Sequence, residues 1–157
     1  MYLNGGTYQI DSADDSIHSN ANITIADGTY TLATGDDGVH ADDALIVNGG
    51  TITVTESYEG LEGLTVTIND GTIDITASDD GINTAGEKME LNGGYIHILA
   101  GGDGVDSNGD LTINGGEIYI DGPSDNGNNA IDYGDRSSAY VNGGTLVAIG
   151  SSGIAEG

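Results

Sequence analysis

A short motif of the form Asn-Gly-Gly-Thr, or a close relative of it, recurs along the whole chain at intervals of about 22 residues. Its seven copies begin at Asn4, Ala26, Asn48, Asn69, Asn92, Asn114 and Asn142. A repeat of this period is typical of a solenoid, in which each unit forms one coil and packs only against its neighbours. We therefore predict a single domain over residues 1–157, with the longest unit accommodating a loop insertion at 122–129.

Apolar residues occupy five fixed positions in each repeat, and paired positions are two residues apart. This spacing is that of β-strands with alternate side chains facing inward, and the intervening Gly, Asn and Asp residues form turns. We predict an all-β, right-handed parallel β-helix of about seven coils with three short strands per coil, since parallel crossovers are almost always right-handed. The last apolar column comprises Ile17, Val39, Leu61, Ile82, Val105, Ile131 and Ile154.

The composition excludes several classes of function. Two basic and 26 acidic residues give a formal charge of −24, which repels phosphate, so nucleic-acid binding is excluded and anionic membrane surfaces are disfavoured. No apolar run approaches the roughly 18 residues needed to span a bilayer, and no secretion signal is evident at the amino terminus. The absence of cysteine excludes disulfides and thiolate metal sites.

The recurrent asparagine and the terminal coils have structural interpretations. The asparagine column is predicted to form a stacked amide ladder or to occupy a left-handed turn position. Neither terminal coil carries the polar cap that solenoids normally need. We therefore expect either that the chain is a piece of a longer protein or that its ends stack on other copies.

A second motif, Asp-Asp-Gly followed by Ile or Val, recurs at one position of the coil. Stacking would bring its carboxylates about 5 Å apart, where each bare pair costs roughly 3 kcal/mol at an effective dielectric of about 20. The only Lys and Arg, Lys88 and Arg136, are predicted near loops. Clustered oxygen ligands suit several Ca²⁺ ions, although a solvated acidic stripe is the alternative. The candidate ligands are Asp14, Asp15, Asp36, Asp37, Asp79, Asp80, Asp103 and Asp106, with Glu59, Glu62 and Asp132 at weaker copies.

Two further groups of side chains could bind ligands. His18 and His40 share a column on adjacent coils, where they could complete a metal site or simply stack as surface imidazoles. Tyr8 and Tyr30 are predicted in the core. Outward-facing aromatic and polar residues form either a sugar platform or ordinary cross-strand pairs: Tyr95, His97 and Tyr119, with Asp74 and Glu117 beside them.

The two motifs recur in phase in the stretches GDDGVHADDALIVNGGTITV (35–54), SDDGINTAGEKMELNGGYI (78–96) and GDGVDSNGDLTINGGEIYI (102–120). Together these stretches resemble the carbohydrate-binding-domain family of secreted clostridial β-helix proteins. The resemblance implies a fold similar to that of pectate lyases, an extracellular location, bound calcium, and binding of cellulose or acidic plant polysaccharide. It also implies that the eight aspartates of the Asp-Asp-Gly turns are calcium ligands.

Three functions are compatible with this sequence. The first is a non-catalytic polysaccharide-binding module at the cell surface or outside the cell. The second is a structural subunit of an extracellular filament, formed by end-to-end stacking of calcium-stabilised coils. The third is a polysaccharide lyase, which needs a base beside the calcium. We do not expect an enzyme, because Lys88 and Arg136 are not predicted on a strand face beside the acidic turns.

Overall fold

The computed structural model describes residues 1–124 and 127–151, which contain β-strands and no helix. No helix in this part of the chain is therefore long and apolar enough to cross a membrane. The strands are β1 (Tyr2–Ser12), β2 (Ile17–Ser19), β3 (Ile23–Thr34), β4 (Val39–Val47), β5 (Thr51–Glu56), β6 (Leu61–Ile68), β7 (Thr72–Ala77), β8 (Ile82–Leu91), β9 (Tyr95–Ala100), β10 (Val105–Ser107), β11 (Asp110–Ile113), β12 (Glu117–Asp121), β13 (Ile131–Tyr133), β14 (Ala139–Val141) and β15 (Thr145–Ile149).

All strand pairs are parallel and join residues one repeat apart, which confirms the predicted β-solenoid. The first face stacks β1, β3, β5, β7, β9, β12 and β15. The second face stacks β2, β4, β6, β8, β10 and β13, and the third face uses other parts of the long strands together with β11 and β14. The solenoid has about six complete turns rather than seven, and Ile154, predicted to end the second face, lies outside the described residues.

The strands are longer than the three short strands per coil that the sequence predicts. β4 and β6 each continue from the second face into the third, with shifts in pairing register at the corner between Ala41 and Ala44 and between Gly63 and Thr65. The chain therefore turns this corner without losing its extended backbone. Between the first and second faces, by contrast, the strands end, and the acidic turns begin.

The core consists of the predicted apolar columns, stacked in register at the coil spacing of ~4.8 Å. Ile52, Ile73 and Ile96 lie directly above one another and are fully buried. Tyr30 is also buried, at 1% exposure, whereas Tyr8 is 42% exposed, so the prediction of a buried Tyr8 is wrong. The Tyr8 ring stacks on Tyr30 with centroids 5.2 Å apart, and this contact covers only one of its faces.

The asparagine column forms the predicted amide ladder. Asn69 donates from Nδ2 to Oδ1 of Asn48 at 2.8 Å, and the same bond links the next coils through Asn92, Asn114 and Asn142. The left-handed alternative is wrong for asparagine, because every positive φ in the described residues belongs to glycine. In the fifth coil it is Gly94 that turns the corner, with φ of 87°.

Replacement of Asn92 by alanine removes two ladder bonds, one donated to Asn69 and one accepted from Asn114. We expect the free energy of unfolding to fall by about 1–2 kcal/mol, because the neighbouring amides regain only part of this bonding from water. Urea unfolding followed by circular dichroism measures the change. The control is Asn20→Ala, which removes only a 3.4 Å contact with Asp42. An equal loss in both variants would contradict a stabilising role for the ladder.

Candidate functional site

The acidic turns connect the first face to the second, and stacking arranges their residues in two adjacent columns. The turn column holds the residue before each buried Gly or Ser: Asp15, Asp37, Glu59, Asp80 and Asp103. The strand column holds the residue after the buried apolar one: His18, His40, Glu62, Asn83, Asp106 and Asp132. We call the two columns together the acidic stripe.

Backbone hydrogen bonds orient the carboxylates of the turn column. Oδ1 of Asp15 accepts from the backbone N–H of Asp37 at 3.2 Å, and Oδ1 of Asp80 accepts from the N–H of Asp103 at 2.7 Å. Asp80 is followed by glycine, which permits this close approach of the coils, because a Cβ on Gly81 would lie 2.5 Å from the carbonyl oxygen of Gly104. The other oxygen of Asp15 faces the strand column, where Oδ2 lies 2.6 Å from Nδ1 of His18.

The structure gathers the predicted ligands into clusters whose donor atoms lie within 4.8 Å of one another. Two of the clusters contain only carboxylates, and two include histidine. They are Asp14–Asp15–Asp36, Asp80–Asp103–Asp106, Asp15–His18–His40 and Asp37–His40–Glu62. Asp37 thus groups with His40 and Glu62 rather than with the other acids of coils one and two. Among the described residues, Asp79, Glu59 and Asp132 join no such cluster of three.

Burial and mutual repulsion raise the pKa values of several of these carboxyl groups, so these groups are partly protonated near neutral pH. Burial, supplemented by neighbouring carboxylates, raises the pKa of Asp80 from its ordinary 3.8 to about 7 and that of Asp106 to about 6. Burial likewise raises the pKa of Glu62 from 4.5 to about 7. Burial would lower the pKa of His40, but its hydrogen bond to Asp37 and the nearby acids raise the pKa overall. The stripe therefore attracts positive charge, whether protons or metal ions.

Two buried oxygen atoms in the strand column have no hydrogen-bond partner. They are Oδ1 of Asn83 and Oδ1 of Asp132, which flank Asp106 on the neighbouring coils. Buried acceptors are normally paired, so an unpaired one needs a donor or a cation. The all-oxygen Asp80–Asp103–Asp106 cluster beside them provides a donor set that fits Ca²⁺.

The residues predicted to form a sugar platform lie together on the first face of coils four to six. Asp74, His97 and Tyr119 stack in register, and Nδ1 of His97 lies 2.8 Å from Oδ1 of Asp74. Tyr95 stacks with Glu117, and the Tyr95 and Tyr119 rings have centroids 5.7 Å apart with planes inclined at 41°. We call these five residues the aromatic platform. It offers exposed ring faces next to carboxylates and an imidazole.

A shallow groove of about 730 Å³ lies beside the aromatic platform, at the corner formed by the Asn-Gly-Gly motifs. Tyr95 and Glu117 line it, and glycine backbone of coils three to seven forms its floor through Gly50, Gly71, Gly94, Gly116 and Gly144. This groove was not predicted from the sequence. The sequence feature that could have indicated the groove is a pair of glycines, which directly precedes Tyr95 and recurs directly before Glu117.

The basic residues lie apart from the acidic stripe. Lys88 was predicted near a loop, but it lies within β8, on the third face, where Nζ donates to Oε2 of Glu90 at 2.9 Å. The prediction failed because the stretch after Asn83 continues as strand around the corner. Arg136 lies in the turn after β13, as expected of a residue near a loop. The structure therefore supplies no Lys or Arg beside the acidic turns of its described residues.

The fold and the site define an acidic parallel β-solenoid that carries a stack of carboxylate clusters on one edge and an aromatic-lined groove on another. The chain matches the family described as "Carbohydrate-binding domain-containing protein" over residues 1–38 and 33–155, nearly its whole length, and it belongs to that family. No curated protein and no solved structure matches it. Family membership supports a polysaccharide as the partner of this chain.

Proposed function

We propose that this protein is a non-catalytic, extracellular polysaccharide-binding module that holds its glycan in the glycine-floored groove against the aromatic platform. The observation that carries the proposal is the groove itself, which is lined by Tyr95 and extends over successive coils. The coil spacing of ~4.8 Å is comparable to the span of one pyranose ring, so successive coils can contact successive sugars. A linear polymer is thus a better fit than a compact ligand.

The chemistry of the platform suits a sugar. Tyr95 is 43% exposed and presents an apolar ring to the groove, while Glu117 supplies hydrogen-bond acceptors beside it. His97 and Asp74 form an exposed pair that can donate to and accept from hydroxyl groups. Apolar contact combined with a few oriented polar groups is the usual composition of a small-molecule site.

Calcium has a structural role in this proposal. Residues Asp80, Asp103 and Asp106 would hold one ion, and Asp14, Asp15 and Asp36 would hold another. The ions would neutralise carboxylates that lie one coil apart. They would also reduce the negative net charge of the chain, which would otherwise repel an acidic polysaccharide.

Alanine replacement of Tyr95, which lines the groove, or of Tyr119, which contacts Tyr95 on the aromatic platform, tests this site. We expect each variant to lose about tenfold or more in affinity, because the aromatic side chains contribute most of the apolar contact. Titration calorimetry with oligogalacturonates and cello-oligosaccharides, in calcium, measures the loss and identifies the glycan class. The matched control is Tyr140→Ala, which removes a 54% exposed tyrosine from the third face.

The proposal fails if the Tyr95, Tyr119 and Tyr140 variants all bind as the wild type does, or if none of these polysaccharides binds at all. We expect no unsaturated uronide absorbance when the protein is incubated with pectate, since the mechanism of a lyase needs a base beside the metal. A rise in that absorbance would mean that the protein is a lyase and not a non-catalytic binding module.

A filament subunit is the second candidate, favoured by apolar side chains exposed on the first coil and on the last coil that the structure describes. Tyr8 is exposed on the first coil. Together with Met1 and Leu3, it lines a mainly apolar recess of about 260 Å³. The last coil exposes Val147 and Ile149. End-to-end stacking would bury these groups and pair the edge strands. Electron microscopy with calcium and with a chelator distinguishes the two candidates, because a monomer in calcium contradicts the filament.

A further inference from the structure

The amino-terminal part of the acidic stripe differs from the rest because it contains histidine. His18 and His40 stack on adjacent coils with ring centroids 5.0 Å apart. Nδ1 of His18 lies 2.6 Å from Oδ2 of Asp15, and Nδ1 of His40 lies 2.8 Å from Oδ2 of Asp37. From coil four onward the strand column holds Asn83, followed by two aspartates, and no histidine.

His40 has more partners than one ring nitrogen can satisfy. Its Nδ1 lies 2.8 Å from Oδ2 of Asp37 and also 2.8 Å from Oε2 of Glu62. An imidazole nitrogen carries either one proton or one lone pair, so it can make one good hydrogen bond, and while both acids are ionised the second carboxylate oxygen has no donor. The three side chains are also largely buried, with exposures of 27%, 8% and 17% for His40, Asp37 and Glu62.

A metal ion among these atoms would satisfy all three groups. We propose that His40, Asp37 and Glu62 bind a divalent transition metal of the zinc class, with His18 and Asp15 of the preceding coil forming the other wall of the site. Imidazole nitrogen is a ligand for Zn²⁺ and its neighbours in the first transition series, whereas Ca²⁺ and Mg²⁺ select oxygen alone. This metal site is independent of polysaccharide binding.

The distances are close to those that zinc requires. Tetrahedral zinc with ligands at about 2.0–2.1 Å places its donor atoms roughly 3.3 Å apart, so the donors now at 2.8 Å need to separate by about 0.5 Å. Oδ2 of Asp15 is 3.8 Å from Nδ1 of His40, which places it within reach as a further ligand. On the opposite edge of the His40 ring, Nε2 lies 3.4 Å from Oδ1 of Asp42. This carboxylate is able to orient the imidazole.

Zinc titration in the presence of millimolar calcium tests this site. We expect the wild-type protein to bind one Zn²⁺ equivalent tightly while calcium occupies the all-oxygen clusters. His40→Ala should weaken zinc binding by at least about a hundredfold, and His18→Ala by about tenfold. His40→Gln provides a second variant that keeps a polar side chain at this partly buried position. The melting temperature of each variant in chelator establishes that it is folded.

Two control variants separate a specific site from general metal binding by acids and histidines. His97→Ala removes the remaining histidine of the chain, which pairs with a single carboxylate on another face, and Asp106→Asn removes an acid from the all-oxygen cluster. Both should bind zinc as the wild type does. Substitution with Co²⁺ should give visible absorption bands that His40→Gln lacks. Equal zinc affinity in the wild type and both His40 variants, or full displacement of zinc by equimolar calcium, would overturn the proposal.

Discussion

We expect the calcium-free protein to be more stable at pH 5 than at pH 7.5, which is opposite to the usual behaviour of proteins rich in paired carboxylates. The reason lies in Glu62, Asp80 and Asp106, whose pKa values in the folded state are about 7, about 7 and about 6. The folded protein binds protons at these groups more tightly than the unfolded chain does. Their protonation therefore stabilises the fold.

The pH window follows from the same values. Each group contributes stability that is fully present below its unfolded pKa, near 4, and is lost as the pH rises through 6 and 7. The groups remain partly exposed, so solvent screening reduces their joint effect to a few kcal/mol. For a chain of this size we expect the melting temperature in EDTA to fall by about 5–10 °C between pH 5 and pH 7.5.

Calcium should reverse this dependence. At pH 7.5 a calcium concentration of about 100 times Kd adds about 2.7 kcal/mol per site, whereas at pH 5 protons compete for the same oxygens and the gain is small. Scanning calorimetry at both pH values, with EDTA and with calcium, measures the four melting temperatures. Identical melting temperatures at pH 5 and 7.5 in EDTA, or equal stabilisation by calcium at both, would contradict the role assigned to the stripe.

Asp106→Asn is the matched control for this experiment. Because it removes one charge from the Asp80–Asp103–Asp106 cluster without changing the size of the side chain, it should raise the melting temperature at pH 7.5 in EDTA. The same variant should gain less from calcium than the wild type. This pairing of opposite effects distinguishes a metal site from an acidic surface that is merely solvated.

The repeat made the fold predictable because stacking turns a sequence period into a spatial register. Once Ile52 and Ile73 occupy equivalent positions, their contact follows, and the same reasoning places Asp74, His97 and Tyr119 in one stack. The amide ladder was predictable for the same reason. Each of these inferences depends only on which residue lies above which, and the sequence period determines that.

Features that depend on the side chain's direction or on the shape of a corner could not be predicted in this way. Asp37 was assigned to the acids of coils one and two, but its Oδ2 lies 2.8 Å from Nδ1 of His40, and the sequence period does not show which way a carboxylate turns. Lys88 was placed near a loop because the chain's passage around the third-face corner is not visible in the period. The groove was missed because it is built from backbone, where Gly71 and Gly94 contribute no side chain.

Gly94→Ala should be among the most damaging single substitutions in the protein, and a second glycine shows why. Gly94 has φ of 87°, and a Cβ there would lie 2.7 Å from the carbonyl oxygen of Gly71 on the preceding coil. Gly5 also has a positive φ, 106°, but a Cβ there would meet no atom within 4 Å. Alanine at either position incurs the left-handed backbone penalty of about 1–2 kcal/mol, and only at Gly94 does it also force two coils apart.

We therefore expect the free energy of unfolding to fall by about 1 kcal/mol in Gly5→Ala and by about 3 kcal/mol or more in Gly94→Ala. The corresponding losses in melting temperature are about 2–4 °C and about 6–12 °C. If denaturant unfolding is measured in excess calcium, the occupancy of the carboxylate clusters is the same in both variants. Equal losses would mean that backbone conformation alone requires glycine at this corner. Unequal losses would mean that the close approach of the coils excludes every side chain from this corner. The same close approach forms the floor of the groove.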